Sequence, residues 1–391
     1  MLVLLDLSFN IIIKLNEDSF AGLHNLRFLD LNSNLRQRYR SSLMLPRNVF
    51  KHLVNLTLLD LSYNNIRSIH QYAFNGLVEL QHLKFNSNEL GKIPNGTFQY
   101  TPNLVILELV YNSIYNVTKG MFTGLGNLHQ LYLKGNYMRS IQNNAFQSLI
   151  NLIELNLSFN LLHSVNRLMF AGLPKLRHLY LGFNNINKIS NQTFENLTDL
   201  RLLDLANNML QSLNEKTFTG LKNLQVLRLN NNNLRYTTEW LPPGCFKALE
   251  SLRHLSIQMN NPRNEIDTFI LPDETIKDLK MLENLTLDAN ANDERILDED
   301  RAFVLNDCIE NLENDGNLKL CVHHRDFVPG EDISDNIIHA IESSRKTVFG
   351  TIDMLELPPE VQQHFDNGEF TIRQVSGRYK GIWKIWPWKK L

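Results

Sequence analysis

The residue types that could bind a metal or carry out catalysis are few and far apart in this chain. Cys321, His323 and His324 combine a thiol with two imidazoles, which are ligands that zinc prefers. Side chains on a strand alternate between its faces, so Cys321 is expected in a core, and no further ligand has a suitable spacing. No Gly-rich phosphate loop or nucleophile motif occurs either. We therefore predict no metal site, no catalytic residue and no cofactor.

A second group of polar and aromatic side chains recurs at one position of a repeated phrase and suits binding better than catalysis. Tyr132 and Tyr180 lie on either side of Asn156, and aromatic side chains are frequent anchors of binding energy. The alternative is structural, because exposed strand positions favour aromatic residues in any case. The ligand-binding candidates are Lys84, Glu108, Tyr132, Asn156, Tyr180, Asp204 and Arg228. Three histidines share another repeat position, too far apart for one ion: His82, His178 and His254.

An asparagine marks the repeat that positions these side chains. Each asparagine ends a phrase of the form L-x-x-L-x-L-x-x-N, as in LTLLDLSYN over 56–64. Successive marks are mostly 24 residues apart, with one gap of 28 and two of 30. This period and consensus predict leucine-rich repeats, which stack into a solenoid. The marks are Asn10, Asn34, Asn64, Asn88, Asn112, Asn136, Asn160, Asn184, Asn208, Asn232, Asn260 and Asn290.

The leucine spacing within each repeat predicts one short strand. Neighbouring strands are expected to form a parallel sheet over a leucine core. The asparagine amide is expected to satisfy backbone groups of its own turn and of the neighbouring repeat. A phenylalanine follows each strand and predicts a stacked spine beneath the convex side. Its members are Phe20, Phe50, Phe74, Phe98, Phe122, Phe146, Phe170, Phe194, Phe218 and Phe246.

Composition limits the class of protein without naming a ligand. The net charge of −2 favours neither nucleic acid nor an anionic membrane surface, and three cysteines are too few for a disulfide framework. The first residues lack the pattern of a signal peptide, and no apolar run reaches 18 residues, so no transmembrane helix is expected. Glycosylation sequons nevertheless favour a secretory origin, although an Asn-rich repeat also creates them by chance. They begin at Asn55, Asn95, Asn116, Asn156, Asn191, Asn196 and Asn284.

Two basic segments leave alternatives open. The insertion after Asn34 is either a solvated loop or a patch that captures an anion or nucleic acid; its cations are Arg36, Arg38, Arg40 and Lys51. The tail over 351–391 is expected to be irregular apart from a strand over 370–375. Its basic, Trp-rich end suits a membrane surface or nucleic acid, or has no selected role. The residues concerned are Trp383, Lys384, Trp386, Trp388, Lys389 and Lys390.

After Asn290 the repeat stops and another pattern begins. Helices are predicted over 298–312 and 333–344, and strands over 318–322 and 346–349, with Pro329-Gly330 breaking the loop between them. This order is typical of an α/β domain with a parallel sheet. The segments EDRAFVLNDCIENLE, LKLCVHHRDFVPGEDISDNII and IESSRKTVF resemble the first half of the TIR domain of animal Toll-like receptors. The order of repeats first and TIR second is also that of these receptors.

The predicted fold is therefore α/β: a leucine-rich repeat solenoid, a horseshoe of about 12 repeats, followed by a partial TIR-like segment. We predict a repeat array over 1–292, a partial TIR domain over 293–350 and an unassigned tail over 351–391. The resemblance implies pattern recognition and innate immune signalling, with a protein, glycan or other pathogen-type ligand on the array. It also implies a single-pass plasma-membrane receptor with extracellular repeats and a cytoplasmic TIR domain.

For the TIR part, the resemblance implies contact with a TIR-domain adaptor or receptor, and possible homodimers. The loop that matches the family's second conserved box comprises Arg325, Asp326, Phe327, Val328, Pro329 and Gly330. Some TIR domains cleave NAD with a glutamate from a later helix, which has no counterpart here, so we predict that the chain is not an enzyme. The alternatives are a soluble repeat protein or decoy that binds without signalling and, remotely, a TIR NAD hydrolase.

Overall fold

The structure is a computed structural model that describes residues 2–12, 14–34, 44–234, 239–258, 260 and 273–287, together with the backbone of four later strands. Its strands, in chain order, are β1 (Leu4–Asp6), β2 (Phe28–Asp30), β3 (Met44–Leu45), β4 (Leu58–Asp60), β5 (Ser68–Ile69), β6 (His82–Lys84), β7 (Ile106–Glu108), β8 (Asn116–Val117), β9 (Gln130–Tyr132), β10 (Ser140–Ile141), β11 (Glu154–Asn156), β12 (Ser164–Val165), β13 (His178–Tyr180), β14 (Lys188–Ile189), β15 (Leu202–Asp204), β16 (Val226–Arg228), β17 (His254–Ser256), β18 (Asn284–Leu287), β19 (Lys319–Val322), β20 (Phe349–Gly350), β21 (Phe370–Gln374) and β22 (Trp383–Pro387). The described helices are a 3₁₀ turn, Arg167–Phe170, and one α-helical turn, Asp273–Ile276.

One strand from each repeat joins a single parallel sheet. The sheet runs β1-β2-β4-β6-β7-β9-β11-β13-β15-β16-β17-β18-β19. The central leucines of adjacent strands are register partners, as Leu59 is with Leu29 and with Leu83. The main sheet contains twelve strands between β1 and β18, one from each repeat, which confirms the predicted solenoid and its number of repeats. Short parallel pairs, β3–β5, β8–β10 and β12–β14, link some repeats away from this sheet.

The core of the solenoid is built from the leucine and phenylalanine ladders that the sequence predicts. Leu80, Leu83 and Phe85 are all fully buried, as expected. The phenylalanine spine is confirmed, since Phe98 and Phe122 stack with centroids 6.5 Å apart and Phe122 and Phe146 at 5.9 Å. A single repeat could not bury these rings alone, so each repeat depends on its neighbours for stability.

The repeated asparagines tie each repeat to the one before it, as predicted. The amide of Asn88 donates to the carbonyl of Phe85 at 3.3 Å and to that of Leu61, one repeat earlier, at 3.0 Å. The amide oxygen accepts from the backbone N–H of Ile66 at 2.9 Å. Asn88 is buried, so these bonds satisfy groups that water cannot reach.

The strands after the array differ from the predicted arrangement. The predicted strand over 318–322 is present as β19, but it pairs in parallel with β18 and so extends the repeat sheet. The strand predicted over 346–349 overlaps β20 at Phe349. Strand β20 pairs antiparallel with β22 rather than in a parallel sheet. An open sheet edge offers unpaired backbone groups to any extended segment, which accounts for the pairing of β19. Both predicted helices, 298–312 and 333–344, lie outside the described residues.

The tail contains more regular structure than predicted. Strand β21 matches the prediction over 370–375, and it pairs along its whole length with β22. The segment WKIWP forms β22, although the sequence predicts an irregular segment there. Its tryptophans and isoleucine have high strand propensity, and that preference explains the difference.

Candidate functional site

The seven ligand-binding candidates, here called the concave row, occupy one line across the sheet. Each is the last residue of its strand from β6 to β16, and neighbours in the row are register partners, Lys84 with Glu108 and so on to Asp204 with Arg228. Strands in such a sheet lie about 4.8 Å apart. The sheet lines the inner face of a leucine-rich repeat horseshoe, so a bound molecule could contact several of these side chains at once.

The middle of the concave row holds two tyrosines on either side of an amide. Tyr132 and Tyr180 are the register partners of Asn156. Partial removal from water, together with the carboxylate of Glu154, raises the pKa of Tyr132 to about 12 and also raises the pKa of Tyr180. Both phenols are therefore neutral and can donate hydrogen bonds. The oxygen of Asn156 accepts from the backbone N–H and the hydroxyl of Ser158 at 3.0 and 2.7 Å, which fixes the amide between the rings.

Three of the four charged members of the concave row, Glu108, Asp204 and Arg228, have hydrogen-bond or ion-pair partners close by. Glu108 accepts hydrogen bonds from the side chains of His82, at 2.6 Å, and Asn86. The His82 contact is the main reason that the pKa of Glu108 lies below its ordinary value. Arg228 lies 3.4 Å from Asp204 in the neighbouring strand. The row thus carries paired charges of both signs, with the two tyrosines between them.

The histidines do not converge, as predicted. His82, His178 and His254 are the first residues of β6, β13 and β17, which are several strands apart in the sheet. Within the ranges that the structure describes, no group of three or more His, Cys, Asp or Glu residues could hold a metal ion. Cys245 is a buried, free thiol, and burial raises its pKa to about 12, so it is unreactive in this setting. Cys321 has only its backbone described, and His323 and His324 lie outside the described residues.

Of the four cations at the insertion after Asn34, the structure describes Lys51. Lys51 is part of a turn, and its ammonium group lies 3.2 Å from Asp18 and 3.4 Å from Glu17. Its charge is therefore matched by carboxylates of the neighbouring repeat, which the sequence places more than 30 residues away. Arg36, Arg38 and Arg40 lie outside the described residues. The loop that matches the TIR family, 325–330, lies outside them as well.

The seven sequons fall on different faces of the solenoid. Asn156 and Asn284 are on strands of the main sheet, and Asn284 is 2.7 Å from a ring nitrogen of His254. Asn116 is half-buried, on β8. The remaining four are exposed and lie away from the sheet: Asn55, Asn95, Asn191 and Asn196.

Sequence reasoning missed a second surface, formed by residues that follow the C-terminal ends of successive strands in the main sheet. From Asn10 to Asn232, the residue before each repeated asparagine has a left-handed backbone, with φ of 53° at Phe9, 57° at Tyr63 and 53° at Tyr111. We call the large side chains at this position the aromatic edge: Phe9, Tyr63, Tyr111, Phe159 and Phe183. They are exposed, from 39% at Phe159 to 81% at Phe9. The sequence does contain a sign of this surface, because aromatic residues recur directly before the repeated asparagine. A left-handed backbone at that position favours Gly or Asn, so aromatic residues there are unusual.

Comparisons with known proteins agree with this architecture. Models of leucine-rich repeats match three ranges: a BspA-type leucine-rich repeat region in six copies over 43–177, and leucine-rich repeats over 176–234 and 223–249. A TIR domain model matches residues 294–349. The solved structure of a TLR13–ssRNA13 complex is similar over 73% of this chain and 43% of that one, with 27% identity and a TM-score of 0.58. A complex of Latrophilin 3, Unc5D and FLRT2 (LRR) is similar over 66% of this chain and 75% of that chain, with 25% identity and a TM-score of 0.52.

Short, strong matches connect the chain to curated receptors. It is 61% identical over 51 residues to Toll-like receptor 4 of Pinctada imbricata, and 55% identical over 53 residues to Toll-like receptor 2 of Mus musculus. Each match covers 13% of this chain, and they cover only 6% and 7% of the two receptors. These relatives are named as receptors, not as enzymes.

Proposed function

Because this chain is a leucine-rich repeat protein that also carries TIR-domain sequence, as Toll-like receptors do, we propose that it serves in Toll-like-receptor-type pattern recognition. The array binds a pathogen-type ligand on its concave row, and TIR–TIR contact with adaptors passes on the signal. The observation that carries the ligand-binding part is the register of the row from Lys84 to Arg228. A soluble decoy that binds without signalling is the alternative, since it needs the array alone.

The geometry favours a ligand with both apolar and hydrogen-bonding groups. Tyr132 and Tyr180 offer aromatic faces and neutral hydroxyl donors, and Asn156 lies between them. Lys84 and Arg228 at the ends are balanced by Glu108 and Asp204. A protein or glycan fits this surface. The similar TLR13 structure is a complex with ssRNA13, but phosphate backbones require a net positive surface, and this row has none.

The signalling half of the proposal rests on the TIR match over 294–349. We propose that the loop over 325–330 contacts a TIR-domain adaptor or a second receptor, including another copy of this chain. For localisation we propose a membrane receptor with extracellular repeats, by resemblance to the family. Within the described residues, no helix is long and apolar enough to span a bilayer.

The first prediction concerns glycans, because one on Asn156 would cover both tyrosines. We expect glycans on the exposed Asn55, Asn95, Asn191 and Asn196, and none on Asn156, which is half-buried at the end of strand β11 in the main sheet. Glycopeptide mass spectrometry of the chain secreted from animal cells measures the occupancy of each sequon. High occupancy at Asn156 would exclude the concave row as the ligand site.

The second prediction tests ligand binding with matched tyrosines. The probes are peptidoglycan fragments, lipopolysaccharide and a purified microbial surface protein, titrated against the purified 391-residue chain. We expect one probe to bind, and Tyr180→Ala to weaken it about tenfold or more, since loss of an aromatic anchor costs about 2 kcal/mol. Tyr137→Ala is the control, because Tyr137 is exposed and lies outside the row. Equal affinity of the two variants, or no binding of any probe, would contradict the proposed role.

A further inference from the structure

The aromatic edge is costly for the fold, so its residues need an explanation outside the core. A left-handed backbone costs about 1–3 kcal/mol for a residue other than glycine. Gly135, Asn207 and Asn231 occupy this position in other repeats and meet the backbone requirement cheaply. Phe9 and Tyr63 take on the strain, yet they are 81% and 60% exposed and bury little apolar surface in return. Exposed rings on a strained backbone indicate a binding role.

Large and small residues alternate along this edge. In repeat order the position holds Phe9, Ser33, Tyr63, Ser87, Tyr111, Gly135, Phe159 and Phe183. A small residue can make room for the ring of the preceding repeat. The ring of Tyr111 lies over Gly135, where a side chain would collide with it. At the far end the alternation stops, because Phe159 and Phe183 stack at 4.1 Å and Lys134 lies 4.9 Å from the centroid of Phe159.

The alternation creates an aromatic-walled cleft at the first repeats. Phe9 and Tyr63 line this open cleft with Ser33 between them, and its volume is about 450 Å³. Asp60, Lys84 and Glu108 are among the polar residues that line it. This volume lies within the usual range of ligand sites, about 300–1,000 Å³.

The floor beside this cleft carries three carboxylates that have no ion-pair partner within 4 Å among the described residues. Asp6, Asp30 and Asp60 are register partners on three adjacent strands. Like charges directly opposite each other destabilise a sheet, and a cation bound above them would relieve the repulsion. Lys84 is the next residue in this line, as the register partner of Asp60. It is also the register partner of Glu108, so its positive charge balances the charge of the three aspartates only in part.

The spacing of the rings identifies a class of partner. Aromatic residues two repeats apart are separated by two strand spacings, about 9.6 Å. A polyproline II helix repeats every three residues, about 9.3 Å, and its prolines dock between aromatic side chains. Its carbonyls are free of internal hydrogen bonds and can accept from the hydroxyls of Tyr63 and Tyr111.

We propose that the aromatic edge and the adjacent aspartates bind a proline-rich polypeptide segment that carries basic residues and adopts the polyproline II conformation. This inference rests on the proposed ligand-binding role of the array. Its aromatic residues and aspartates lie outside the concave row, although the cleft shares Lys84 and Glu108 with that row. The row and the edge would form two adjoining contact surfaces on one array.

The third prediction tests this site with peptides and an edge-filling variant. Fluorescein-labelled decaproline and an arginine-flanked decaproline are titrated against the purified 391-residue chain by fluorescence anisotropy. We expect both to bind, the arginine-flanked peptide more tightly. Tyr63→Ala should weaken binding at least tenfold. Ser87→Tyr should do the same by filling the gap between Tyr63 and Tyr111, while keeping the fold, since both flanking repeats carry tyrosine at this position.

Controls separate this inference from the proposed function. Tyr137→Ala, with 59% exposure against 60% for Tyr63, and Tyr180→Ala in the concave row should both leave peptide affinity unchanged. If neither peptide binds, or if Tyr63→Ala and Ser87→Tyr bind as the parent does, the inference is wrong. Edge-dependent binding of cellohexaose without binding of either peptide would overturn it in favour of a glycan. Failure of the microbial probes alone would count against the proposed function and leave the edge intact.

Discussion

Phe122→Ala is expected to lower the free energy of unfolding by about 3–5 kcal/mol, the cost of removing a buried aromatic ring. Phe122 is 1% exposed and stacks between Phe98 and Phe146. The cavity would interrupt the spine that joins three repeats, so we expect the array to unfold locally at this point before its ends do. Urea denaturation followed by circular dichroism, with hydrogen exchange of residues 98–146, measures both effects.

A surface phenylalanine provides the control for this substitution. Phe159→Ala removes the same side chain from an exposed position, where its ring stacks on Phe183 and lies next to Lys134. Its expected cost is about 1 kcal/mol, the value of an exposed aromatic pair. Equal destabilisation by the two substitutions would mean that the spine does not hold the repeats together.

Asn160→Ala is expected to destabilise the array by about 3 kcal/mol or more, because it leaves several buried groups without partners. The amide of Asn160 donates to the carbonyls of Leu133 and Leu157 at 3.0 and 3.1 Å, and its oxygen accepts from the N–H of Met138 at 3.1 Å. Two of these three bonds reach the preceding repeat. The urea midpoint measures the loss, and exchange of the Met138 amide should accelerate.

The matching control is the first asparagine of the series. Asn10 is exposed, and its amide donates to the carbonyls of Leu7 and Ser8 within its own repeat. Water can replace those bonds, so Asn10→Ala should cost less than about 1 kcal/mol. A small effect at Asn160 would show that the asparagines turn the chain without joining neighbouring repeats.

The sequence was most informative where one chemical requirement recurs in every repeat. Leu59, Phe122 and Asn160 each stand for a ladder whose members face the same environment, so the period alone predicts burial, stacking and hydrogen bonding. The line of the concave row follows from the same logic, because equivalent positions on parallel strands become register partners.

Features that depend on a single pairing were not predictable in this way. The partners of Lys51 come from an earlier repeat, across an insertion that breaks the period. The sequence predicts β19 as a strand, but its neighbour β18 belongs to the array rather than to a second sheet. The left-handed backbone at Tyr63 recurs in other repeats, but the consensus leaves this position unspecified and so does not reveal the backbone angle.

Hydroxyl-radical footprinting of the tyrosines tests the proposed ligand site most directly. The purified chain is exposed to radicals with and without the microbial probe that binds most tightly, and modification of each tyrosine is read by mass spectrometry. We predict that the probe reduces modification of Tyr132 and Tyr180 several-fold, while Tyr115 and Tyr137, which are exposed and lie outside the concave row, stay unchanged. Protection of Tyr115 or Tyr137 with no change at Tyr132 and Tyr180 would contradict binding at the concave row.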